Sequence, residues 1–345
     1  MVEYIDYINA RIRGMMARLM SEERLRQTTE SATVSDWVAS LRETPYTAEL
    51  GGSVPFGDSG ALMAAVDRST AARTHRLSRI ASGRPATALS ALLAEWDLKN
   101  LQTLISGLHY RAKPEQILSS TIAGGVLDQD QLEVLARSSS LREAADRLVT
   151  WHYPYAKVFK RAIGRDDRPL IDMRLELTRG LVGHIRLIAS GSGFPSLMRY
   201  LGDRVDQMNL MTALMWRTLP TDRGPEGFYL EKGGELTPSL YLRVIRASDV
   251  GEIALMLPRG ILKNAVRKAS VPFDLGGRSS VFQQALDREL HRAYTRLRDI
   301  DPLDMSLLIA YLLNLYREGI LLKLALLRIF MGISPGIFQE VVGDV

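Results

Sequence analysis

The residues of this 345-residue chain that could carry chemistry are its five histidines, its carboxylates and two runs of basic side chains. His75, His109, His152, His184 and His291 include no pair at the i, i+4 spacing that sets two imidazoles on one helix face, and the chain has no cysteine. That excludes a thiolate nucleophile, a thiolate metal site and a disulfide framework, speaks against zinc, and is simplest for a cytoplasmic protein. Gly191-Ser192-Gly193 lacks the third glycine and the Lys-Ser/Thr of a phosphate loop, and no Gly-x-Ser-x-Gly elbow or complete acidic metal loop occurs. The reading is of a protein without a catalytic residue, cofactor or metal.

What remains is a polar pair in an apolar setting. On a helical wheel Asn100 falls among Leu89, Leu93, Trp96 and Leu104, in the middle of the apolar arc, with Asp97 beside it. A buried amide and a buried carboxylate must both find partners. Either they line a central axis or partner site, or they form a satisfied network that fastens helices together; an Asp and an Asn alone do not make a two-carboxylate acid/base pair. The same residue types recur as Asp206 and Asn209, and Glu318 takes the acidic position a third time.

The basic runs are Lys157, Lys160, Arg161, Arg165 and Arg168, and later Arg288, Arg292, Arg296 and Arg298. Asp166, Asp167, Asp287, Glu289, Asp299 and Asp301 interleave them, the pattern of a solvated helix face, so no nucleic acid is expected despite a net charge of +5. Trp151-His152-Tyr153-Pro154-Tyr155, with Thr44-Pro45-Tyr46 as its earlier counterpart, reads as aromatic packing at a helix junction.

The elements that must position these residues are helices. Aromatic content is 7% against 46% hydrophobic, with Leu, Ala and Met abundant, which favours an all-α fold. Leu89, Leu92, Leu93 and Trp96, and Ile8, Ile12, Met15, Met16 and Leu19, follow helical spacing. Ser21 before Glu22-Glu23, and Thr237 before Pro238, read as helix starts. Gly51–Gly60 and Ile188–Pro195 read as loops or helix-to-helix connections. The greasy stretch Ile320–Ile333 is broken by Lys323 and Arg328 and is too short to span a bilayer, and the acidic start Met1-Val2-Glu3 does not resemble a signal peptide.

Shifting the sequence by 109 lays Asp97, Asn100, Leu101 and Thr103 on Asp206, Asn209, Leu210 and Thr212, and continues without a gap through Gly124-Gly125 on Gly233-Gly234 to Ala145 on Ala254. That is 11 identities in 49 positions, against roughly 3 expected from average composition. A shift of 107 pairs Leu25, Val34, Asp36, Leu41 and Tyr46 with Leu132, Leu141, Glu143, Leu148 and Tyr153, and a shift of 221 brings Glu318 onto Asp97 and Pro335 onto Pro114. The expectation is three homologous helical domains, residues 1–115, 116–226 and a more divergent 227–345, divided at Lys113-Pro114 and Pro220–Pro225.

These residues resemble a known family. Tyr7-Ile8-Asn9-Ala10-Arg11-Ile12-Arg13, Glu43-Thr44-Pro45-Tyr46 with Glu49-Leu50, Asp97-Leu98-Lys99-Asn100-Leu101 and Phe228-Tyr229-Leu230-Glu231-Lys232-Gly233-Gly234 are similar, in order and over nearly the whole chain, to the C subunits of V/A-type (vacuolar/archaeal-type) rotary ATPases, the counterparts of the eukaryotic V-ATPase d subunit. The sequence departs from that family at Ser106-Gly107, where a basic residue often follows, and at Leu321, where the third copy would carry Asn100's equivalent. The resemblance implies a funnel-like, pseudo-threefold, non-catalytic coupler, peripheral on the cytoplasmic face of the cell membrane, with the central shaft subunits and the proteolipid ring as partners. The rivals are a helical scaffold for an acidic protein or nucleic acid, and an unrecognised hydrolase.

Overall fold

The computed structural model describes residues 3–50, 55–122, 124–164, 168–216, 224–231, 233–269, 279–297 and 304–336. Among them the regular structure is helical throughout, and no strand occurs. The chain opens with α1 (Glu3–Met16), then the short helices α2 (Glu22–Glu30), α3 (Val34–Ser40) and α4 (Thr47–Leu50), then the long helices α5 (Ser59–Ile80) and α6 (Gly83–His109). The same succession returns as short α7 (Pro114–Ser119), α8 (Gln129–Ala136), α9 (Leu141–Thr150) and α10 (Ala156–Ile163), then long α11 (Leu170–Ser192) and α12 (Pro195–Trp216). It returns again as a 3-10 turn (Pro225–Phe228), α13 (Pro238–Arg246), α14 (Val250–Met256) and α15 (Ile261–Ala269), then long α16 (Ser279–Leu297) and α17 (Ser306–Phe330). We call the three groups of short helices the first, second and third caps.

Helices of seven to ten residues are too short to hold in water by themselves, so their ends and their burial matter more than their propensities. Their starts are built accordingly. Ser21, Asp128, Ser140, Thr237 and Asp249 each accept a backbone N–H of the first turn, and Thr33 and Asp36 cap α3 reciprocally. Each such cap is worth about 0.5–2 kcal/mol.

The chain divides into two compact units, residues 1–188 with 311–345, and residues 189–310. In the first, a core under the first cap joins Leu25, Trp37, Leu41 and Tyr46 to Leu62 and Val66 of α5 and to Leu322, Ala325 and Leu326 of α17. The last long helix therefore supplies part of the core of the first cap. In the second, Leu210 and Ala213 of α12 and Phe282 and Leu286 of α16 enclose Tyr241, Val244, Ile253 and Val266 of the third cap.

Within Ile188–Pro195 the helix-to-helix connection is only Gly193-Phe194: α11 continues to Ser192, and α12 starts at Pro195. Gly191 sits in the helix with open space around it, while Gly193, at φ +72°, takes the left-handed conformation that ends the helix, two residues before a proline suited to a first turn. Of Gly51–Gly60, residues 51–54 lie outside the described residues, and Ser59-Gly60 already belong to α5. No described helix is long and apolar enough to cross a membrane. In α17 the breaks are anchored charges: Lys323 pairs with Asp67 at 2.7 Å, and Arg328 donates to the Ile333 carbonyl at 3.0 Å.

Candidate functional site

Asp97 lies midway along α6 with no exposed surface, and Asn100, one turn on, is 2% exposed. Both face the turn between α7 and α8 of the second cap. Asp97 Oδ2 accepts from Val126 N at 3.1 Å and from the Tyr153 hydroxyl at 2.9 Å, and Oδ1 accepts from Leu127 N at 3.2 Å. Asn100 pairs with a single peptide in both directions, Nδ2 donating to Ile122 O at 2.7 Å and Oδ1 accepting from Ile122 N at 2.9 Å. Two successive backbone N–H groups and a phenol supply the hydrogen bonds of this carboxylate, and none of the three carries a charge.

The glycine pair follows from this approach. A Cβ on Gly125 would stand 1.9 Å from Asp97 Oδ1, and one on Gly124 would meet the Tyr316 ring at 2.9 Å. Only a residue without a side chain lets the turn close on the carboxylate. Tyr316 of α17 completes the cradle, its hydroxyl donating to Gly124 O at 2.9 Å and its ring lying 3.8 Å, centroid to centroid, from that of Trp96.

The second copy repeats the device on the third cap. Asp206 of α12 accepts from Gly234 N at 2.9 Å, Glu235 N at 2.5 Å and Leu236 N at 3.1 Å, and Asn209 pairs with Leu230 O and N, both at 2.8 Å. A Cβ on Gly233 would fall 2.2 Å from Asp206 Oδ1. The backbone partners of the carboxylate keep the 109-residue shift, Val126 to Glu235 and Leu127 to Leu236, whereas the partner of the amide shifts by 108, from Ile122 to Leu230. The second copy therefore has one residue fewer between Asn209 and Leu230 and one more between Leu230 and Glu235, which cancel in the gapless match. Lys232, in that turn, lies outside the described residues.

Glu318 of α17 completes the series at the other end of the chain. It is 2% exposed and reaches the first cap: Oε2 accepts from Met20 N at 2.7 Å, and Oε1 accepts from the Tyr46 hydroxyl at 2.8 Å and from Arg73 Nη1 at 2.9 Å. Met20 and Tyr46 stand 107 residues before Leu127 and Tyr153, the shift that aligns the first two copies. Each long-helix acid thus clasps the cap that follows it, and the last acid clasps the first cap. Arg73 adds a cation to this third clasp; its guanidinium also lies 4.5 Å above the Tyr46 ring. Leu321, where an amide would stand, is buried and apolar.

The electrostatics differ accordingly. Burial pushes the Asp97 carboxyl up to about 7, against the downward pull of Tyr153, Leu127 and Val126. Burial also drives the Tyr46 and Tyr153 hydroxyls above the ordinary phenol value, with the adjacent carboxylate adding to it. Sequence reasoning placed the five polar residues on their helices but missed Tyr46, Tyr153 and Tyr316 as donors and Arg73 as counter-ion. The 107-residue pairing of Tyr46 with Tyr153 was the available signal for the first two.

The sequence profile of the ATP synthase (C/AC39) subunit family matches residues 8–334. The chain belongs to this family. Relatives include the C subunit of a V-type ATP synthase of Deinococcus radiodurans, 27% identical over 88% of this chain and 86% of its own. The C subunit of an A-type ATP synthase of Thermococcus kodakarensis is 25% identical over 99% of this chain and 90% of its own, and that of a V-type ATP synthase of Thermus thermophilus 25% over 99% and 98%.

Elsewhere, this member of the C/AC39 family uses its charges as a solvated surface does. Lys160 pairs with Asp146 and Arg161 with Glu176, both at 3.2 Å, whereas Arg292, at 2.5 Å, and Lys268, at 2.6 Å, converge on Glu289, which is buried. Arg165, Asp166, Asp167, Arg298, Asp299 and Asp301 lie outside the described residues. Tyr153 and Tyr155 pack edge to face at 5.5 Å, and Tyr155 packs likewise on His184 at 5.3 Å, so the aromatic cluster is a helix corner while His152 faces solvent. No group of three or more His, Asp or Glu among the described residues is placed to hold a metal ion.

Proposed function

We propose that this chain is the non-catalytic central-stalk coupler of a V/A-type rotary ATPase, joining the rotating shaft subunits to the membrane proteolipid ring on the inner face of the cell membrane. The observation that carries the proposal is the family match from residue 8 to residue 334, borne by a chain whose buried acids act as fasteners. A coupler has to transmit torque without yielding between its parts. Asp97, Asn100, Asp206, Asn209 and Glu318 would meet that need by tying each cap to a long helix through directional bonds in a water-poor site, where they are stronger than on a surface. In this reading the chain is three copies, residues 1–115, 116–226 and 227–345, each a cap followed by two long helices, and it reaches the membrane through its partners.

The test is to tag the chain in its source cells, solubilise membranes in mild detergent and identify what co-purifies. Shaft and ring subunits in fixed ratio are the expected result. Recovery of the chain alone, with the ATPase intact without it, would overturn the proposal and leave the scaffold reading.

A further inference from the structure

The clasps differ in what neutralises the acid. Glu318 has a guanidinium at 2.9 Å; Asp97 has an equally buried carboxylate whose partners are all neutral. The groups facing Asp97 can be named from every side. The turn presents the Val126 and Leu127 amides, the corner between α9 and α10 presents the Tyr153 and Tyr155 hydroxyls, and α17 presents Tyr316. On α6 itself Glu95 adds negative charge near Tyr316, and Lys99 is drawn away, its ammonium 4.5 Å above the Trp96 ring. No ion-pair partner of Asp97 occurs among the described residues, and its side chain has no exposed surface.

We propose that Asp97 makes the grip of α6 on the second cap proton-linked: the clasp is tightest with a proton on the carboxyl and loosens when the group ionises. The chemistry follows from what is packed there. An ionised carboxylate with only neutral donors keeps an uncompensated charge away from water, and it regains solvation if the turn swings off. A proton on Oδ2 removes the buried charge and reverses the bond to Tyr153, the acid now donating to the phenol oxygen and the phenol hydrogen rotating off the carboxyl, while both carboxyl oxygens still face the amides. The closed clasp therefore holds its proton more tightly than the open one.

Linkage fixes the direction of the pH dependence. The closed carboxyl titrates at about 7 and an opened, solvated one at about 3.9, so the closed state is the more protonated between those values and the opening constant rises with pH across that window. The rise is about 50-fold between pH 5 and pH 7 and levels off above about pH 7.5. This inference concerns the fold and does not depend on the coupler reading.

The experiment is hydrogen exchange on the full chain, read at peptides spanning residues 124–127, corrected for intrinsic exchange, with a parallel titration of the Asp97 carboxyl carbon by NMR. The wild type is expected to show opening that increases from pH 5 to pH 7 and then levels, and a carboxyl midpoint near neutrality. Asp97→Asn should remove the pH dependence at 124–127 and leave the Met20 peptide of the first cap unchanged. Equal pH dependence in wild type and variant, opening that grows toward acid, or a carboxyl ionised throughout the range would each overturn it. Should the variant fail to fold, the wild-type carboxyl titration alone decides.

Discussion

Glu318→Ala would open the clasp that ties the end of the chain to its beginning. Three donors converge on that carboxylate: Met20 N and the Tyr46 hydroxyl, both buried, and Arg73, which is 14% exposed. Removing one partner of a buried ion pair costs about 3–5 kcal/mol, because the other charge stays behind unpaired. An orphaned buried N–H or hydroxyl adds about 1–3 kcal/mol where the site cannot relax. Arg73 keeps a small route to solvent and its place over the Tyr46 ring, so the lower part of the ion-pair range is expected, about 3–4 kcal/mol. Since the chain forms two compact units, the loss is best read locally, by urea-dependent hydrogen exchange at peptides containing Met20 and Tyr46. Arg73→Ala alone should also destabilise, and the double variant should lose less than the sum of the two, with a coupling of about 1–3 kcal/mol. A single-variant loss below about 1 kcal/mol, or strict additivity, would refute the view that Glu318 and Arg73 act together to hold the first cap.

The remaining predictions concern the other two clasps and a control. Gly125→Ala should destabilise the first unit by about 2–4 kcal/mol in urea unfolding, since a Cβ 1.9 Å from Asp97 Oδ1 forces the turn or α6 to move; Gly233→Ala should do the same to the second unit. Gly183→Ala, in α11 with nothing within 4 Å of the new Cβ, should instead stabilise by about 0.5–1 kcal/mol on the same assay. Asn209→Asp keeps the shape but sets a carboxylate oxygen against Leu230 O at 2.8 Å in place of a donor, and should cost about 1–3 kcal/mol with a larger loss at higher pH, measured by unfolding at pH 5 and pH 8.

The helical class and the apolar face that holds Asn100 were legible in the sequence because both depend on short-range periodicity. Leu89, Leu93 and Asn100 declare one face of α6 without reference to any other helix, and the cap residues Ser21 and Thr237 act within a single turn. The repeats even carried the information that Tyr46 and Tyr153 are equivalent. What the periodicity could not say is what lies opposite a buried face. Burial of Asp97 follows from its own helix, but the identity of its donors follows from the turn at Val126-Leu127 and the corner at Tyr153, 29 to 56 residues away. For Glu318 the donor is Met20, 298 residues away, and the neutralising charge is Arg73, which no repeat of the sequence announces. The helical run through Ile188–Ser192 was likewise lost to local composition, since glycine and serine weaken a helix only in proportion to what packing fails to restore. Local chemistry thus determined which residues would be buried and polar, and the tertiary structure alone decided that they clasp the neighbouring cap and close the chain upon itself, because a hydrogen bond is completed only by the group that packing brings to meet it.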